Sequence, residues 1–200
     1  MSSTVLWYAA RATGLMALVL LTATTVLGIL TANRTTSARW PGFALQDLHR
    51  RVSLITMAFL AGHILTSVVD TYVHIGWAAI VVPFASSYQR LWVALGSIGV
   101  DLLLAVAVSS LLRHKIRART WRALHWLAYL SWPVALSHAF GIGTDMRQTW
   151  VIGLTVACIA AVAGSGMWRI SLAAGRKQRA LAFVPVHGRP EGVPVKHISA

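Results

Sequence analysis

Four histidines carry the clearest chemical signal in this chain. His49 and His63 stand 14 residues apart in LHRRVSLITMAFLAGHILTSVVDT, residues 48–71. His125 and His138 stand 13 apart in WRALHWLAYLSWPVALSHAF, residues 121–140. Each stretch is apolar and long enough to cross a bilayer as a helix. At 1.5 Å per residue the two separations are about 21 and 20 Å, so each helix presents imidazoles at two matched depths. Side by side, the helices pair His49 with His125 and His63 with His138. Two facing pairs of imidazoles, one per leaflet, are what two stacked haems need as axial ligands. A lone histidine in a membrane helix serves equally well as a hydrogen-bonding group between helices, and the matched depths set these four apart from that reading. His74, His114, His187 and His197 lie in loops or the tail and share no such arrangement, which suits solvated or interfacial residues.

The elements that position these residues follow from composition. The 200 residues are 56% hydrophobic and 12% charged, with a mean hydropathy of +0.65. That excludes a single soluble domain and points to an integral membrane protein. The net charge of +13 is gathered into short segments between apolar runs, which fits membrane topology and not nucleic-acid binding. The one cysteine, Cys158, lies inside an apolar run, where it reads as a small packing residue, and no C-x-x-C-H haem-attachment motif is present.

Hydropathy predicts an all-α, polytopic membrane bundle of five spans. The first runs from Val5 to Thr31 and the second from Leu48 to about Asp70. The third covers Leu91–Leu112, the fourth Trp121–Phe140, and the fifth Thr149 to about Ala173. Between spans two and three, HIGWAAIVVPFASSY (residues 74–88) is apolar but too short to cross, so it reads as a re-entrant or interfacial external segment. Arg34, Arg39, Arg50 and Arg51 flank the first connection, and RHKIRARTWR forms residues 113–122. By the positive-inside rule both connections are cytoplasmic, placing the N-terminus outside and the C-terminus inside the cell membrane. Residues 1–175 thus form one transmembrane domain, and 176–200, with Pro185, Pro190 and Pro194, a flexible basic cytoplasmic tail.

Helical geometry places one constraint on the pairing. Fourteen residues leave His49 and His63 about 40° apart around their helix, whereas 13 leave His125 and His138 about 140° apart on an ideal one. Pro133 lies between the latter two and offers a kink that would rewind the span.

The motifs HRRVSLITMAFLAGH and WRALHWLAYLSWPVALSH, with the basic TWR lead into the second, resemble the ferric reductase-like transmembrane domain. That domain is shared by ferric reductases, NADPH oxidases and the haem subunit of the bacterial methionine sulfoxide reductase system. The resemblance covers about residues 5–173 and implies two b-type haems, an inner one on His49/His125 and an outer one on His63/His138. It implies a di-haem cytochrome carrying electrons from a cytoplasmic donor to an external acceptor. The chain departs from the oxidases in having five spans and no flavin or nicotinamide domain, which makes it the haem-bearing component of an oxidoreductase. Electrons then enter from a separate cytoplasmic flavoprotein or a quinol, and the lasting partner is membrane lipid. Two rival readings stand beside this one: a non-redox transporter or assembly subunit, and a haem-bearing anchor subunit of a larger reductase.

Other intramembrane polar residues admit paired readings. Arg11 in span one is either a partner for propionates of the outer haem or a side chain that snorkels to the interface. Arg50, Arg51 and Arg122 flank the inner histidines and are explained by topology. Asp101, mid-span three, is either an acid hydrogen-bonded to Ser or Thr or part of a proton route. Trp126 and Trp132 suit either haem stacking or core packing, and Gly62 beside His63 suits close approach of a macrocycle or of another helix.

Overall fold

The computed structural model describes residues 3–32, 41–70, 75–143 and 148–182. Arg34, Arg39, His74, the 144–147 loop and the 183–200 stretch with His187 and His197 lie outside the described residues. The described chain is helical: α1 Ser3–Ala32, α2 Gly42–Val69, a 3₁₀ turn Trp77–Ile80, α3 Arg90–Leu111, α4 Ala118–His125, α5 Leu127–Ile142 and α6 Thr149–Ala182. Helices α1, α2, α3 and α6 are each long and apolar enough to cross a membrane. Helix α5 alone, at 16 residues, is about 24 Å long and falls short of a roughly 30 Å hydrocarbon core. Helix α4 extends it, so the fourth span is a broken helix. The protein is a multi-pass membrane protein.

Local sequence accounts for the boundaries. Pro41, with φ −66°, opens α2, and its carbonyl accepts the N–H groups of Ala44 and Leu45. The chain reverses before α3 through two left-handed residues, Phe84 (φ 68°) and Gln89 (φ 36°). Between them the Ser86 hydroxyl accepts the Tyr88 N–H at 3.1 Å. Along α1, Thr13, Thr22 and Thr25 return their hydroxyls to carbonyls four residues earlier, at 2.6, 2.9 and 2.8 Å. In a medium without water that pairing hides the polar group at little cost. Large apolar side chains such as Leu54, Leu65, Val108 and Ile170 point outward, as a lipid-facing surface requires.

Helix α1 is the hub. It packs along α2 and also touches α5 and α6, while α3 packs on α5 and α4. A core cluster joins Leu21 of α1, Trp132 of α5 and Cys158 of α6. Cys158 is buried there as a packing residue. The Trp132 indole N–H donates to the Thr22 hydroxyl at 2.9 Å. Trp132→Phe keeps the ring and removes that bond, so unfolding from detergent should show a loss of about 0.6–2 kcal/mol. A change within error would mean that the bond adds nothing to the packing.

Two boundaries differ from the sequence expectation. Helix α6 continues through the expected break at 175/176 to Ala182, so the first seven residues of the supposed flexible tail are helical. The fourth span breaks at Trp126, beside His125, while the helix runs on through Pro133. At the break the Tyr129 N–H reaches back three residues to the Trp126 carbonyl, at 3.0 Å. Such 3₁₀ geometry adds about 20° of rotation per residue, which moves His125 towards the face of His138.

The 75–89 segment lies across one end of the bundle. It is pinned by a hydrogen bond from the buried Ser97 hydroxyl to the Ala79 carbonyl. Ile75, Ala79, Ile80 and Tyr88 close over a cavity between the helices.

Candidate functional site

The four histidines do form two facing pairs. The ring centroids of His49 and His125 are 6.3 Å apart with planes at 71°. Those of His63 and His138 are also 6.3 Å apart, with planes at 76°. Helix α2 packs closely on α1 but not on α5, so the histidines reach across a gap instead of a helix interface. At the His63–His138 end the gap is a cavity of about 320 Å³ that includes Arg11, Gly14, Gly96 and Ala79 in its walls. That lies within the size range of small-molecule and cofactor sites.

Backbone carbonyls orient three of the rings. Nδ1 of His63 bonds to the Ala10 carbonyl at 2.7 Å, that of His138 to the Trp92 carbonyl at 2.7 Å, and that of His49 to the Thr24 carbonyl at 3.1 Å. A carbonyl only accepts, so each Nδ1 carries the proton and donates it. The neutral ring then keeps its lone pair on Nε2, the tautomer a metal ligand needs.

A glycine lies four residues beyond each acceptor. A Cβ on Gly14 would stand 2.9 Å from His63 Nδ1, and one on Gly96 would stand 2.7 Å from His138 Cε1. At Gly28 the distance to His49 Cε1 would be 3.4 Å. In a helix the side chain at i+4 leans over the carbonyl of residue i, so its absence lets an imidazole reach that oxygen. Gly62, singled out in the sequence, has ordinary clearance, its nearest neighbour being Thr13 Cγ2 at 3.7 Å. The glycines that make room for the imidazoles sit on α1 and α3, opposite the histidines, while Gly141 on α5 makes room for the Trp92 ring.

The fourth histidine differs. His125 Nδ1 is buried without a hydrogen-bond partner among the described residues, as is the neighbouring Trp121 Nε1. The two rings stack at 4.9 Å, and the Arg113 guanidinium lies 4.8 Å from the Trp121 ring. Trp121, and not Trp126 or Trp132, is thus the tryptophan whose ring stacks on a histidine. Trp132 is in the core, and Trp126, 59% exposed, packs against Tyr129 and lies near Arg169.

The remaining polar residues fall in place around the pairs. Arg11 lines the cavity, with its guanidinium 4.0 Å from the Trp7 ring centroid. Arg50 and Arg122 are exposed, and Arg51 forms an exposed ion pair with Asp47 at 2.7 Å, of a kind worth little. His114 is exposed in the α3–α4 turn, away from either pair. Asp101 is half-buried in α3 and has no Ser or Thr hydrogen-bond partner among the described residues.

This donor set restricts the chemistry. No cluster of three His, Cys, Asp or Glu residues able to hold a metal occurs among the described residues, so neither pair has the third ligand of an ordinary protein-held zinc site. Two opposed imidazoles instead suit a metal that brings its own equatorial ligands. A metal midway between centroids 6.3 Å apart is about 2 Å from the near nitrogen of each ring, the usual metal–imidazole bond length. At the His63–His138 end the walls, largely apolar with Gly14 and Gly96 at the rings, fit a flat macrocycle.

No curated protein and no solved structure matches the chain. The family model for the ferric reductase like transmembrane component matches residues 13–136. That range takes in His49, His63, His125 and the glycines at 14, 28 and 96, and stops two residues short of His138. With well over half of its length matched and its four histidines in two facing pairs, the chain belongs to the ferric reductase-like transmembrane family.

Proposed function

We propose that the chain is a di-haem b-type membrane cytochrome that passes electrons from one side of the membrane to the other. The observation that carries this reading is the pair of equal 6.3 Å imidazole separations across an unpacked gap. His49 and His125 would hold one haem, and His63 and His138 the other. When bound, each haem supplies one-electron redox chemistry. The chain's own residues would supply two imidazole nitrogens per site, carbonyls that fix the tautomer of three of the rings, and, at His63/His138, a largely apolar surround that excludes water. Arg11, in the wall of the His63–His138 cavity, would meet a propionate there.

The basic 113–122 segment belongs on the cytoplasmic side, which makes His49/His125 the inner pair and sets electron flow outward. A cytoplasmic flavoprotein or a quinol then reduces the inner haem, and an external acceptor oxidises the outer one. A reduced-minus-oxidised spectrum with a haem assay tests the core of this reading. The expected result is b-type bands and two haems per chain; a purified, folded protein without haem would overturn it. Direction is tested separately. A reporter inserted in residues 113–119 should face the cytoplasm and one near Ser86 the outside, and the reverse labelling would reverse the proposed flow.

A further inference from the structure

The four histidines are not equivalently held. His49, His63 and His138 each have a carbonyl acceptor with a glycine four residues beyond it. On α1 the two acceptors, Ala10 and Thr24, are 14 residues apart, as are Gly14 and Gly28, matching the spacing of His49 and His63 on the antiparallel α2. Helix α3 repeats the device once, with Trp92 and Gly96 serving His138. Farther along α3, residues 100–111 read VDLLLAVAVSSL and contain no glycine. An imidazole beside that half of the helix meets a Cβ over every carbonyl, and His125 Nδ1 is left unpartnered. The backbone under His125 is also the least anchored. It is the last residue of an eight-residue helix with no buried residue, next to the Trp126 break, whereas His138 sits inside α5.

We propose that His125 is the displaceable ligand of the set: its side of the inner haem opens to a small neutral ligand, while the His63–His138 site stays closed. This rests on the two-haem reading above. The ligand class is a π-acceptor diatomic, the kind of small neutral molecule that ferrous haem iron takes up in place of a lost imidazole. Without an Nδ1 hydrogen bond the ring is held by its stacking on Trp121 alone, and its Nε2 is less basic. Displacement exchanges one axial bond for another without a change of oxidation state: His125 Nε2 leaves as the incoming molecule binds, and the ring keeps its proton on Nδ1. The stacked Trp121 ring, with its own unpartnered N–H, gives the released imidazole a surface to rest on.

The test is titration of the dithionite-reduced full chain with carbon monoxide, read from the absorption spectrum against total haem. The expected result is one carbon monoxide per two haems. It should become one per haem in a His63→Ala/His138→Ala double variant and disappear in a His49→Ala/His125→Ala double variant. Wild-type protein with two haems that takes up no carbon monoxide would overturn the proposal, as would uptake that follows the His63–His138 pair. Should the double variants fail to fold, Gly96→Ala serves instead. A Cβ crowding His138 should loosen that ligand and raise uptake from one to two per chain, and unchanged uptake would overturn the argument that the glycine holds the site closed. Protein lacking haem altogether defeats the two-haem reading itself, which a negative titration of haem-loaded protein does not.

Discussion

Replacing His49, His63 or His138 by Ala is expected to lower haem content from two per chain to one. The argument is one of alternatives. On the proposed reading each imidazole is one of two ligands at its site, and no other His, Cys, Asp or Glu completes a metal-binding cluster among the described residues. Removing one leaves a site with a single ligand in an apolar gap. The partner ring would then hold the iron alone. His114→Ala should leave both haems in place, because that residue is exposed in a turn. A pyridine haemochrome assay on protein quantified by amino-acid analysis reads the ratio directly. If the three intramembrane variants each retain two haems, the assignment of these histidines as ligands is wrong. His125→Ala should be the mildest of the four, in keeping with its unanchored ring.

The second large effect is expected where no ligand is touched. Gly14→Leu and Gly96→Leu should each abolish the haem on His63/His138 and leave the other haem bound. A Cβ alone at these positions would approach His63 Nδ1 to 2.9 Å and His138 Cε1 to 2.7 Å. A Leu side chain cannot be accommodated unless the imidazole leaves its carbonyl and swings into the cavity. Overpacking of this kind costs about 1–3 kcal/mol before the lost hydrogen bond, worth about 1 kcal/mol more, is counted. Gly153→Leu is the control, since nothing lies within 4 Å of a Cβ there. Haem content that stays at two in both variants would show that the backbone acceptors are dispensable and that the iron bonds alone orient the rings.

The membrane class, the four helices able to cross a bilayer and the pairing of four histidines were legible in the chain as written. Hydropathy over some 20 residues needs no partner to be read, because the bilayer is the same for every helix. Spacings of 14 and 13 residues become depths through a rise per residue that hardly varies. Burial of Cys158 follows from the same pattern. The orienting groups were not legible. Ala10, Thr24 and Trp92 act through backbone carbonyls, which every residue carries, so nothing in their side chains marks them. Their glycines left a trace in the 14-residue interval between Gly14 and Gly28. That interval acquires meaning only once α1 is known to lie antiparallel to α2. Gly62, adjacent to His63 in sequence, makes an ordinary helix contact with Thr13 of α1, whereas the His63 imidazole points at that neighbouring helix, so the residue that must be small is across the interface. Tertiary structure alone also decided that the fourth span breaks at Trp126 while its helix continues through Pro133, and that Trp121 is the tryptophan against His125. A proline's missing N–H is a local fact. Where a helix yields depends on which of its residues neighbours hold in place, and α4, with none buried, is held least.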